Sequence, residues 1–337
     1  MRQAQALHFS THDGVELHYR HWPATRNQHQ PRRAVVMFHR GHEHGGRMAH
    51  LADELDMPGY DFFAWDARGH GHSPGARGDS PGFATSVRDV QTFIEHIQAS
   101  HGIAEQDLVV LAQSVGAVLV ATWAHDYAPK VRCLVLASPA FKVKLYVPFA
   151  RTGLKLLKAL RGNFFVNSYV KPRLLTHDPE RVMSYVADPL ISRPISVTML
   201  LGLYEAADRV VADAQAIQLP TQLLVSGADF VVERQPQERF FERLGSARKE
   251  MHILPGFFHD TLGERDRPMP CGASSGLSNI ASPAPPPCRH YSMPTRSAPA
   301  APKPKAWPHR CRATRPATFT GVLPVPGCGW AMGCPKV

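Results

Sequence analysis

The chain has 337 residues, 44% of them hydrophobic, enough for one large α/β domain or two smaller ones around a substantial core. Its formal charge of +10 points toward nucleic acid or membrane, but the stretch from Pro268 to Val337 carries 8 Lys/Arg and no acid, leaving 30 basic against 28 acidic side chains in residues 1–267. That near-neutral body excludes nucleic-acid binding by bulk charge. No run of 18 apolar residues and no apolar leader core is present, so neither a spanning helix nor a secretory signal is expected.

Segments ALHFST (6–11) and VELHYRHW (15–22) alternate apolar and polar residues around HDG, which predicts an antiparallel hairpin. Short apolar runs then follow at 33–39, 60–66, 107–113, 131–138, 221–227 and 250–256, the pattern of strands buried on both faces. Helical stretches lie between several of them, roughly at 46–56, 84–100, 115–127 and 234–244. Alternating strands and helices predict a mostly parallel, eight-stranded sheet with helices on both faces. Cys133, inside the run VRCLVLAS, reads as a small core residue.

Residues 139–219 break this rhythm, with prolines at 148, 172, 179, 189 and 194, and read as a helical cap inserted over the carboxyl end of the sheet. Its first part, 142–162, has six Lys/Arg, no acid and an amphipathic pattern. Two readings fit that pattern: a solvated basic face, or contact with a lipid surface. The apolar segments FFVNSY (164–169) and MLLGLY (199–204) are candidates either for lining an acyl pocket or for packing within the cap.

Ser114 sits where the run DLVVLAQ gives way to a helix, in the pattern A-x-S-x-G. Small residues two before and two after a serine permit the sharp strand-to-helix turn of a nucleophile elbow. Ala112 and Gly116 fill those places; a helix N-cap is the alternative reading. The loop MFHRGHEHGGRM (37–48) is suited to bring a backbone N–H to a developing oxyanion. Its His39, His42 and His44 lack the H-E-x-x-H spacing, and no metal is expected. WDARGHGHSPG (65–75) reads as a tight bracing loop built on Arg68 and His70, with Asp66 and Ser73 forming internal hydrogen bonds. Asp229, beyond a strand end in LLVSGADF, and His259, in LPGFFHDTLGE, are weak signals alone. Taken with Ser114, they stand in the order Ser, Asp, His, each in a loop after a strand.

Five stretches in order, HRGHEHGGR, DARGHGHSPG, AQSVG, SGAD and GFFHDTLGE, carry a resemblance to a known family. Residues 12–266 resemble the α/β-hydrolase superfamily, and within it the lysophospholipase, monoacylglycerol-lipase and serine-aminopeptidase-like group. The resemblance implies an α/β-hydrolase fold with a helical cap. It implies Ser114 as nucleophile, His259 as base and Asp229 as orienting acid, with Gly41 and Val115 donating oxyanion-hole N–H groups. It further implies a serine hydrolase of carboxylic esters, foremost monoacylglycerols or lysophospholipids, with no cofactor, no nucleic-acid partner and no obligate protein partner. With no leader and no span, the expected setting is the cytoplasm, and the lipid-contact reading of 142–162 would add peripheral contact at the inner membrane face through the cap. Arg40 and His42 stand where the family pattern has glycine, and Ala112 replaces the first elbow glycine.

Residues 1–267 are thus expected to form the hydrolase domain. Residues 268–337 hold 15 of the 30 prolines and 5 of the 6 cysteines. They read as a disordered Pro-rich tail, as translation in a shifted frame, or as a disulfide or zinc module lacking any C-x-x-C pair. The family continues past this point with a helix beside the histidine loop, and its replacement leaves a second reading open: a hydrolase-like protein that is catalytically impaired or silent.

Overall fold

The computed structural model describes residues 2–25, 31–144, 149–168 and 170–267. The Pro- and Cys-rich stretch 268–337 lies outside them, as does Tyr169 of the expected pocket lining. The chain opens with β1 (Gln5–Ser10) and β2 (Glu16–Trp22), an antiparallel hairpin. Its turn is closed by hydrogen bonds between Thr11 and Val15 and from Gly14 N–H to Thr11 O, with Gly14 at φ 78°.

β3 (Arg33–Phe38) leads into a 3-10 turn at Gly45–Met48 and then a single turn of helix, α1 (Leu51–Glu54). The sequence predicts one helix over 46–56. Instead Gly45 lies against the carbonyls of Ala64 and Trp65, where no side chain fits, and the chain leaves that contact through the tighter turn. β4 (Tyr60–Trp65), α2 (Phe83–His101), β5 (Leu108–Gln113), α3 (Val115–Tyr127) and β6 (Cys133–Ala137) follow. Gly102 ends α2 in the left-handed conformation, its N–H returning to Gln98 O.

The next segment holds α4 (Ala150–Arg161), β7 (Phe165–Asn167), α5 (Pro179–Ala187), β8 (Pro194–Ser196) and α6 (Val197–Ala212). The chain then returns to the sheet with β9 (Thr221–Ser226), α7 (Gln235–Arg243) and β10 (Lys249–Leu254). The eight-stranded sheet has the order β1-β2-β4-β3-β5-β6-β9-β10. β2 pairs antiparallel with both β1 and β4, and the other junctions are parallel.

The unbroken apolar runs are explained by burial on both faces. In β3, Ala34, Val36 and Phe38 enter one core while Val35 and Met37 enter the other. β5 divides in the same way, with Leu108, Val110 and Ala112 opposite Val109 and Leu111. The larger core is closed by α2, α3, α6 and α7; the smaller one takes Met48, Leu51 and Leu55 from around α1. α3 lies so deep that Gly116 through Ala124 are all buried, which accounts for a helix apolar on every side.

α6 divides the segment read as a cap. Its Leu203, Ala207 and Val210 join the larger core beside α2 and α3, so it is a flanking helix of the sheet. Leu201 and Tyr204 instead face a small separate cluster with Leu154, Phe164 and Val166. Packing accounts for the burial of these residues of MLLGLY. Among the described residues no helix is long and apolar enough to cross a membrane. Because β5, β9 and β10 run parallel, the loops that follow them emerge together at one sheet edge.

Candidate active site

At the end of β5 the backbone of Ser114 takes φ 55° and ψ −115°, an angle pair rare for a side-chain-bearing residue. Two hydrogen bonds to neighbouring elements hold it: Ser114 N–H donates to Ala137 O at 2.9 Å, and its carbonyl accepts from Ala140 N–H at 3.1 Å. α3 starts at the next residue and passes so close to the end of β3 that a Cβ on Gly116 would collide with the carbonyls of His39 and Phe38. Glycine is therefore required there. Ala112, paired with Phe38 and Leu136 inside the sheet, carries its methyl in the buried core. No side-chain cap bond from Ser114 to the helix is present, so the N-cap reading does not describe its hydroxyl.

That hydroxyl lies 2.8 Å from His259 Nε2, and His259 Nδ1 lies 2.8 Å from Asp229 Oδ2. All three side chains are buried. A carboxylate can only accept, so Nδ1 carries the ring proton and Nε2 presents a lone pair to the serine O–H. The second oxygen of Asp229 accepts from the N–H groups of Val231 and Val232, at 2.7 and 3.0 Å. Burial would raise this carboxyl, but His259 and those two N–H donors outweigh it and keep Asp229 below its ordinary value, hence ionised.

The 39–47 loop lies against the elbow. A Cβ on Gly41 would meet Val115 Cγ2 at 3.1 Å, so the two expected N–H donors belong to touching residues. Among the described residues neither of their N–H groups is spent on a protein acceptor. The three imidazoles of this loop go separate ways. His39 donates from Nδ1 to Arg40 O and accepts Ala67 N–H at Nε2; His44 pairs with Asp188; His42, at φ 69°, donates to Ser192 O. They form no common ligand set. His12, Asp13 and Asp89 do lie close enough together for a cation, but the Arg68 guanidinium bonds both carboxylates.

The bracing loop has the internal bonds read from its sequence. Asp66 accepts from Gly45 N–H, His72 N–H and Arg20, and Ser73 donates to Asp66 O while accepting His18 N–H. Arg68 reaches across to α2 through Asp89.

The loop bearing His259 is held by residues the sequence reading did not single out. Glu264 accepts from the N–H groups of Phe258 and His177 at 2.9 and 3.0 Å, pinning the loop to the cap side. Thr261 donates to Ser138 Oγ, which also accepts Ser226 N–H, joining this loop to the ends of β6 and β9. His50 bonds Leu262 O, and Gln113 donates to His259 O at 3.1 Å. Within the described residues the histidine loop thus has its own supports. Glu264 had a readable signal: an acid five residues past the histidine in an apolar loop.

Compared with known proteins, residues 29–266 match the family model described as serine aminopeptidase, S33. The uncharacterized protein YnbC of Escherichia coli K12 is 60% identical over 259 residues; the match covers 77% of this chain but only 44% of that protein. The chain therefore spans less than half the length of that relative. A monoacylglycerol lipase of Mycolicibacterium smegmatis is 27% identical over 264 residues, covering 75% of this chain and 89% of the lipase. Among solved structures, the monoacylglycerol lipase of Paleococcus ferrophilus superposes with a TM-score of 0.68 at 24% identity, over 82% of this chain and 99% of that one, which establishes a shared fold.

The imidazoles packed around the site set an acid limit on stability. Burial, the largest cause in each case, pushes His42 and His70 down to about 4 and also lowers His39. In the unfolded chain each returns to about 6.5. Below that pH the unfolded state binds protons that the fold does not, so stability present above pH 6.5 is lost progressively toward pH 4. The melting temperature, followed by circular dichroism, should fall across that window. His42→Gly, which suits the left-handed backbone angle and removes one imidazole, should make the slope shallower.

Proposed function

The chain belongs to the serine aminopeptidase S33 family, in the lipase-like group of the α/β-hydrolases, and on that premise we propose that it hydrolyses carboxylic esters through Ser114, His259 and Asp229. One observation carries the reading: an unbroken, buried chain of contacts from the Ser114 hydroxyl through both ring nitrogens of His259 to an ionised Asp229. As Ser114 Oγ attacks the ester carbonyl carbon, His259 Nε2 takes its proton. The carbonyl oxygen becomes an oxyanion between the N–H groups of Gly41 and Val115. Asp229 stabilises the imidazolium and holds its tautomer. The intermediate collapses, the alcohol leaves with the proton from Nε2, and an acyl-serine remains. Water, deprotonated by the same nitrogen, then releases the acid and restores the serine.

For the substrate, a monoacylglycerol or lysophospholipid ester is proposed. The support is the group to which the chain belongs and the nature of the cap surface. Phe149 and Leu160 beside and on α4 are 88% and 75% exposed, and Leu156 is exposed next to them. Lys155, Lys158 and Arg161 share that helix. An apolar strip edged by cations suits the surface of an anionic bilayer, where such substrates reside. The proposed setting is the cytoplasm, with α4 meeting the inner membrane face.

Ser114→Ala should lower kcat for p-nitrophenyl butyrate by at least about 10^3-fold while leaving thermal stability near wild type. Hydrolysis at the wild-type rate would refute the assignment. In flotation assays the protein should bind vesicles containing phosphatidylglycerol more than vesicles of phosphatidylcholine alone. Leu156→Asp with Leu160→Asp should abolish that binding without changing hydrolysis of the soluble ester.

A further inference from the structure

Three residues that adjoin the proposed machinery in sequence turn their side chains into one buried polar network. Gln113 precedes Ser114, Asp260 follows His259, and Arg40 precedes Gly41. Gln113 Nε2 donates both to His259 O at 3.1 Å and to Asp260 Oδ1 at 3.2 Å. Arg40 grips Glu43 through Nε and a terminal nitrogen, at 2.7 and 2.6 Å, and lies 3.4 Å from Asp260 Oδ2. All of these side chains are buried.

A further member comes from the cap. Arg181, on α5, donates from Nε to Asp260 Oδ2 at 2.6 Å. Its terminal nitrogen donates to Arg47 O at 3.1 Å, and Arg47 returns bonds to Arg181 O and Ser184 Oγ. A Cβ on Gly263 would overlap both Arg181 Nε and Asp260 Oδ2, so the histidine loop is built to admit this contact. Burial alone would raise the Asp260 carboxyl, but Arg181 and Arg40 hold it far below the usual carboxylate range. Burial would likewise discharge Arg40, yet Asp260 and Glu43 keep it charged.

Such a network is costly to bury, and packed apolar residues of similar volume would serve stability as well or better. It supplies geometry instead. Among the described residues, Asp260 is the one carboxylate that touches the residue before the serine, the residue before Gly41 and the cap at once.

We infer that Asp260 is a positioning residue, tying the seating of the cap through Arg181 to the alignment of Ser114, His259 and the Gly41 loop. The inference rests on the ester-hydrolase reading above. None of these side chains touches the reacting atoms, so their effect falls on the turnover step. A misplacement of about 1 Å among reacting groups costs up to about 100-fold in rate.

The test uses the full chain with p-nitrophenyl butyrate and active-site titration. Arg181→Gln leaves Asp260 paired with Arg40; Gln113→Met keeps the volume and deletes only the two donated bonds. Each should lower kcat per titrated site by between about 10- and 100-fold, with KM within about threefold of wild type. Arg181→Lys, which restores the charge, should recover part of the loss. If Arg181→Gln does not fold, Gln113→Met decides the matter. Unchanged kcat per site, or a change confined to KM or to melting temperature, overturns the inference. Ser114→Ala, run alongside, separates the two readings: if it remains active the ester-hydrolase reading fails, whereas an inactive Ser114→Ala beside normal positioning variants removes only the present one.

Discussion

The constraint on which the site's chemistry depends is the close approach of Gly116 to the carbonyls at the end of β3. It forces α3 to begin immediately after β5 and leaves Ser114 no room to relax from its positive φ. Everything at the sheet edge is set by that turn. The hydroxyl is lifted toward the histidine loop, the first N–H of α3 is left without a helical acceptor, and the 39–47 loop is pressed against Val115. Strain in one residue is sustained because the sheet on one side and the helix on the other are both packed to completion.

A second constraint is polar. Loops carry the candidate residues, and loops need fixing. Here the fixing is done by buried carboxylates that each collect several donors: Asp66 behind the 39–47 loop, Glu264 at the far end of the histidine loop, and Asp260 between that loop and the cap. Each keeps its charge because donors and cations outweigh the cost of burial. The cap is thereby attached on its α5 side by ionic and backbone bonds, while α4 presents apolar side chains outward.

Much of this architecture was legible in the sequence because its signals are local. Period-two burial on both faces produces the continuous apolar runs of β3 and β5, and the Ala112, Ser114 and Gly116 spacing marks the turn directly. Asp66 and Ser73 could be read as internally bonded because a short Gly-rich loop must satisfy its own N–H groups. The misread parts depend on contacts distant in sequence. The 46–56 helix is cut down by Gly45 meeting β4, and α6 joins the sheet layer because Gly202 lets it approach Phe83. Arg181 and Asp260 are 79 residues apart, and no periodicity links them. Arg40 in place of a glycine was the one visible clue, since a buried guanidinium obliges carboxylates to gather round it.

The central claim is that the fold makes one serine hydroxyl nucleophilic by seating it on Nε2 of His259. The most direct measurement is covalent: incubate the folded chain with a fluorophosphonate probe, digest it and map the adduct by mass spectrometry. The account predicts a single adduct on Ser114, approaching one per chain and lost when the protein is unfolded before labelling. A folded protein that stays unlabelled, or carries its adduct on another serine, would contradict it.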